Sequence, residues 1–214
     1  MDSFLKSMDP ALQLIILMSA LSLLPFIVVS MTSFLRYIIV LSILKTALGT
    51  QQVPPAIVLV GMALILTGYT MSPVLGEMYE AAAPALNNKA PITEVFDRGS
   101  RPLKNFMMRQ TRQADLAFFV EMSRKGKMPE SPEQLTLMEV APAYMISELR
   151  TSFEIGFVIF IPFIVLDLVV ANILLALGMF MLSPTIISLP FKILIFVAVD
   201  GWGLIINGLV QSFN

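Results

Sequence analysis

Apolar positions dominate this chain in long runs, and charge enters those runs at only a few places. From Pro10 to Leu35 there is no charged residue, a stretch longer than the roughly 20 residues a helix needs to cross a bilayer. Pro25 lies inside it. A proline lacks the amide proton and clashes with the preceding turn, so a kink or break is expected near Leu24. The apolar sequence continues through Arg36, Tyr37-Ile38-Ile39-Val40-Leu41 and Lys45 to Leu48-Gly49, where glycine is the expected helix stop. Thr50-Gln51-Gln52-Val53-Pro54-Pro55 reads as a polar turn, closed by prolines that favour a helix start just beyond. Residues 56–76 form a second uncharged run, with Gly61 and Gly68 as small residues that let helices approach closely.

The pattern changes at residue 77. Residues 77–152 carry 20 of the 29 charged side chains, ten of each sign, so this region is solvated. Residues 84–101 read as loop, with turns at Asn87-Asn88-Lys89 and Arg98-Gly99-Ser100. Residues 102–125 read as an amphipathic helix with Leu103, Phe106, Met107, Ala114, Phe118 and Met122 on its apolar face. Gly126 would stop it, Gly126–Pro132 would be a loop, and residues 133–152 a further helix. Two apolar arms follow, 153–182 and 184–210, around the tip Leu177-Gly178-Met179-Phe180-Met181-Leu182-Ser183-Pro184. Thirty helical residues would reach about 45 Å against a hydrocarbon core of about 30 Å. The first arm is therefore expected to be tilted, broken (Gly156 and Pro162 are candidate breaks) or not simply transmembrane. The expected fold is all-α, in three stretches: N-terminal apolar helices over 1–76, a polar helical region over 77–152, and a C-terminal apolar helical hairpin over 153–214.

Composition sharpens this. The chain is 57% hydrophobic and 14% charged, against about 25% charged in ordinary soluble domains, and its mean hydropathy of +0.82 is that of an integral membrane protein. A net charge of -1 gives no bulk attraction for nucleic acid. Cysteine and histidine are both absent. That removes disulfides, thiolate metal sites, and the commonest general base and metal ligand. The 15 methionines suit adaptable contact surfaces. The first apolar run follows Asp2, Lys6 and Asp9 rather than a basic segment, so it reads as retained structure and not as a cleaved signal. Lysines and arginines flank the apolar runs on both sides, so charge sets no orientation.

Beyond Glu154 at the head of the first arm, one acid sits alone deep in each apolar arm, Asp167 and Asp200. Intramembrane aspartates serve as a proteolytic dyad, as a proton path, or as packing charges neutralised by a cation. Neither lies in a Gly-x-Gly-Asp context, and pairing with a cation is the favoured reading. Lys192 lies eight residues before Asp200, about 80° round a shared helix, and Arg36 and Lys45 are the other cations in apolar sequence. The tip residues Met179, Phe180 and Met181 fit either a hydrophobic gasket that re-packs around a passing chain or a plain hairpin loop. Gln51-Gln52 fits a polar passage or a simple connection. Phosphate-binding glycine motifs and basic-aromatic stripes are absent, so no cofactor is expected.

Several blocks, in order, resemble one family: Met31-Thr32-Ser33-Phe34, Ile39-Val40-Leu41 and Ala47-Leu48-Gly49-Thr50-Gln51-Gln52-Val53-Pro54-Pro55 at one end. At the other end stand Phe153-Glu154-Ile155-Gly156-Phe157, Pro162-Phe163, Asp167, Leu174 to Pro184, Ile187-Ser188-Leu189-Pro190-Phe191-Lys192 and Asp200-Gly201-Trp202. Together they are similar to the P subunit of the flagellar type III export gate (FliP) and its injectisome counterpart, the R subunit (SctR). Gly49-Thr50-Gln51-Gln52, Pro54-Pro55 and Arg109 to Leu116 are closer to the flagellar branch, and the retained N-terminus to the injectisome branch. The flagellar branch is the one expected.

The resemblance implies a non-enzymatic channel subunit at the bacterial inner membrane, in the export gate of the basal body. It implies further copies of itself as partners, together with the Q and R (flagellar) or S and T (injectisome) subunits, other export-apparatus membrane proteins and membrane lipid. Unfolded secretion substrates would pass through. Its apolar helices would be kinked hairpins raised toward the periplasm, with 77–152 on that side. Met179, Phe180 and Met181 would narrow the pore, Phe180 standing where the family often has methionine. Arg36, Lys45, Asp167, Lys192 and Asp200 would be packing charges for assembly. The rivals are an intramembrane enzyme using Asp167 and Asp200, which would lack histidine and cysteine, and a secondary transporter, against which stand few spans and no inverted repeat.

Overall fold

The computed structural model describes residues 10–50, 52–124 and 134–213, and every regular element among them is a helix. Gln51 of the polar turn, the loop Gly126–Pro132 and the flanking Asp2, Lys6 and Asp9 lie outside the described residues. Among the described residues, two helices are long and apolar enough to cross a membrane: α4 (Ala56–Asn87, 32 residues) and α7 (Leu137–Ala176, 40 residues). Two bent pairs, α2 (Leu24–Met31) with α3 (Phe34–Ala47) and α8 (Pro184–Ala198) with α9 (Gly201–Gln211), raise the number of candidate spans to four. The described residues divide into two compact units, one within Met1–Leu35 and Gly68–Glu148, the other within Arg36–Thr67 and Leu149–Asn214.

In the first unit, α1 (Pro10–Ser22) gives way to α2 at Leu23. Pro25 stands in the first turn of α2, where its missing amide proton costs nothing. The break expected near Leu24 is there. α2 ends at Thr32, whose backbone is extended. The Thr32 hydroxyl donates to the Val28 carbonyl and accepts from the Phe34 amide, while the Tyr144 hydroxyl donates to the Thr32 carbonyl at 2.8 Å. One residue thus serves polar groups left over at two helix ends.

The stretch 84–101 is corrected: α4 runs through Pro84 to Asn87, and α5 (Ile92–Gln110) begins almost at once. Ala81-Ala82-Ala83 before Pro84 and Ala85-Leu86 after it are strong helix formers. The turn at Asn87-Asn88-Lys89 is real. Lys89 takes a left-handed conformation (φ 51°), and the Ala90 amide returns to the Ala85 carbonyl at 2.9 Å, a Schellman stop made without glycine. Gly99 is no turn. It lies inside α5, where an added Cβ would stand 3.3 Å from the Cβ of Ala82, so it lets α5 close on α4.

The single amphipathic helix over 102–125 is also corrected. It is two helices, α5 and α6 (Gln113–Arg124), broken at an extended Thr111. The Thr111 hydroxyl donates to the Met107 carbonyl, and the Arg112 amide donates to the buried Ser147 hydroxyl on α7 at 3.0 Å. The break shifts the helical phase. Phe106 and Met107 are buried as expected, but Ala114, Phe118 and Met122 are exposed, and Val120 is buried in their place. α7 opens on Thr136, whose amide and hydroxyl both donate to the Glu139 carboxylate, a variant of the capping box.

In the second unit, α7 continues unbroken through Gly156 and Pro162, the two expected break points. Forty helical residues give about 60 Å, twice a hydrocarbon core. Gly156 is instead a contact point: the Ile43 side chain of α3 occupies the space a Cβ would need. α3 buries Tyr37, Val40, Leu41 and Leu44 along one face. Leu44, Ala47 and Leu48 join Phe163 of α7 and Phe196 of α8 in the core, with Trp202 of α9 edge-on to Phe196 at 5.3 Å. The second arm is two helices bent by 64° at Val199-Asp200. Asp200 is left-handed (φ 51°, ψ 51°), and the Phe196 ring covers Gly201 where a side chain would sit. Lys192 and Asp200 therefore do not share a helix, which corrects the expected 80° relation.

Candidate functional site

The charges in apolar sequence meet different fates. Lys192, on α8, is 2% exposed. Its Nζ donates to Oδ2 of Asp167 on α7 at 2.7 Å and to the Ala47 carbonyl at the end of α3 at 3.2 Å. Ser188, four residues earlier on α8 and fully buried, donates to the other carboxylate oxygen of Asp167 at 2.5 Å. Positions four apart share a helix face, so one face of α8 grips both oxygens of one acid. The ammonium also meets the negative end of α3. Three helices are joined in this way. A buried ion pair holds only when the remaining polar valences are filled, and here a hydroxyl and a carbonyl fill several of them.

Arg36 makes a second clamp. It is 2% exposed at the start of α3. Its Nη1 donates to the Ser212 carbonyl at 2.9 Å and hydroxyl at 2.8 Å, at the end of α9. Its guanidinium lies 3.7 Å from the centre of the Phe213 ring, a cation–π geometry, and Phe213 packs on Tyr37 at 5.5 Å. Both buried cations thus sit at helix C-termini. Asp200 and Lys45 are different: Asp200 is exposed and Lys45 half-buried, and neither has an ion-pair partner among the described residues. The Asp200 carboxylate folds back over Gly203 and makes no capping bond to α9.

The hairpin tip closes α7 with a Schellman motif. Gly178 is left-handed (φ 73°), its amide donates to the Leu175 carbonyl at 3.1 Å, and the Met179 amide to the Leu174 carbonyl at 2.9 Å. Pro184 then opens α8. Between them Phe180 is 76% exposed and Met181 100%, with Leu177, Met179 and Leu182 also exposed. The tip is ordered in its backbone and uncovered in its apolar side chains.

The sequence singled out Asp167, Lys192 and Arg36, and the structure joins the first two. It missed Ser188, Ser212 and the Ala47 carbonyl. The four-residue spacing of Ser188 and Lys192 on an otherwise apolar helix was the available signal.

These features define an all-helical integral membrane protein whose apolar hairpin is tied by buried charge and ends in an open apolar turn. The sequence model described as the FliP family matches residues 17–209. The chain is 46% identical over 209 residues to the flagellar biosynthetic protein FliP of Bacillus subtilis, covering 97% of this chain and 94% of that one. It is 49% identical to FliP of Caulobacter vibrioides over 96% of this chain and 77% of the other, and 42% identical to Yop proteins translocation protein R of Yersinia pestis over 95% and 96%. The chain belongs to the FliP family.

Proposed function

We propose that this protein is a channel subunit of a type III export gate at the bacterial inner membrane, of the flagellar branch, and a transport component rather than an enzyme. Several copies, joined by the small Q and R subunits (S and T in an injectisome) and other export-apparatus proteins, would enclose a conduit for unfolded proteins. Residues 77–152 would face the periplasm and residues 1–76 and 153–214 would contribute the apolar helical hairpins. The observation that carries the reading is the tip: a hydrogen-bonded backbone turn presenting Met179, Phe180 and Met181, all left exposed by the described residues. Flexible thioethers and one ring suit a closure that must re-pack around a moving polypeptide. Energy would come from other components.

Replacing Met179, Phe180 and Met181 together by alanine is expected to leave the assembled complex intact and to raise leak of ions and small solutes through it. Unchanged leak from an assembled complex would sink the gasket. Asp167 is bound by a lysine and a serine hydroxyl, which favours a packing role over the dyad reading of Asp167 with Asp200.

A further inference from the structure

Of six charges in the apolar sequence, Arg36, Glu154, Asp167 and Lys192 have partners within one copy, while Asp200 and Lys45, one of each sign, have no ion-pair partner among the described residues. We propose that Asp200 of one copy pairs with Lys45 of the next, seating the α8–α9 elbow in a groove on α3; this rests on the multi-copy gate proposed above. The groove measures about 350 Å³ and is lined by Ile38, Ile39, Ser42, Ile43, Thr46 and Phe160. At 100° per residue, Lys45 lies about 20° from Ile38 and about 60° from Ser42, so it stands on the rim of this groove, where the groove meets the buried face of α3. The elbow has the matching character. It is a convex 64° bend bearing an exposed carboxylate, surrounded by exposed Val197, Val199 and Leu204.

A bare acid in apolar surroundings is costly and calls for a cation. Here the copy's own Lys192 and Arg36 are occupied elsewhere. The two surfaces differ, so the contact is head-to-tail: each copy offers its elbow to one neighbour and its groove to the other. Such contacts build rings or helices rather than closed two-fold pairs.

The absence of native cysteine makes the test clean. In native membranes, copies carrying only Lys45→Cys would be co-expressed with copies carrying only Asp200→Cys, and oxidised. A mixed cross-linked dimer is expected, absent when either variant is expressed alone. With both cysteines in one chain, a ladder beyond dimer is expected. In parallel, Lys45→Glu and Asp200→Lys are each expected to lower the oligomer fraction about tenfold by placing like charges together, and the double exchange to restore it. Lysine is compatible with the left-handed backbone at 200, as Lys89 has the same φ of 51°. An intact oligomer with no mixed cross-link, or with no restoration, overturns this pairing alone. An unsubstituted protein that runs only as a monomer in the same membranes overturns the multi-copy reading beneath it.

Discussion

Lys192 holds an acid on one helix and the last turn of another with a single ammonium group. Lys192→Met would leave the Asp167 carboxylate with only a serine hydroxyl, and breaking a buried pair on one side costs about 3–5 kcal/mol. Some exposure of Asp167 (29%) places the expected loss near the lower end, about 3 kcal/mol. Removing both charges with Lys192→Met and Asp167→Leu is expected to recover most of it, since an apolar pair of similar volume replaces an ion pair at little net cost. Unfolding of the detergent-solubilised protein checks both, and a double variant no better than the single would refute the account. At this scale the sequence was half legible. A charge in an apolar run announces itself by rarity, so Arg36, Asp167 and Lys192 stood out. Their partners did not: Arg36 and Ser212 are 176 residues apart, and a serine or a carbonyl is unremarkable until folding brings it near.

Helix ends tell a similar story one level up. Pro25 marked a true break because it stands in the first turn of a helix. Pro73, Pro84 and Pro190 lie inside helices that do not stop, and the chain breaks instead at Thr111 and Asp200, where no glycine or proline leads. Buried neighbours decide those positions: the Ser147 hydroxyl takes up the Arg112 amide, and the Phe196 ring occupies the side of Gly201. Glycines divide in the same way. At Gly178 an added methyl group meets nothing within 4 Å, so Gly178→Ala should cost only the left-handed backbone, about 1 kcal/mol. At Gly156 the same change meets Ile43, whose Cγ2 would be 3.0 Å away, and α3 must shift from α7. Thermal denaturation of the two variants should therefore rank Gly156→Ala as the more damaging, and the reverse order would discount the α3–α7 contact.

For the whole molecule, hydropathy was the most legible property. Within the most apolar window of α7 only 11% of residues are buried by the chain itself, so its surface is made for lipid or for other subunits. The division into two units was not legible, because it cuts across α4 and α7 rather than following the switch from apolar to charged sequence. The Asp167–Lys192 pair also bears on how such a chain enters a membrane as it is synthesised. α7 emerges from the ribosome with its acid 25 residues before the lysine that neutralises it. An aspartate at the middle of a lone inserting helix costs about 2.5–3.5 kcal/mol. The two arms are therefore expected to leave the translocon side by side, as one inserting unit. A nascent chain ending at Ala176 should integrate less completely than one ending at Gln211, and Asp167→Leu should remove the difference, as read by resistance to alkaline extraction. The order of translation thus makes a late lysine the licence for an early helix to stay in the bilayer.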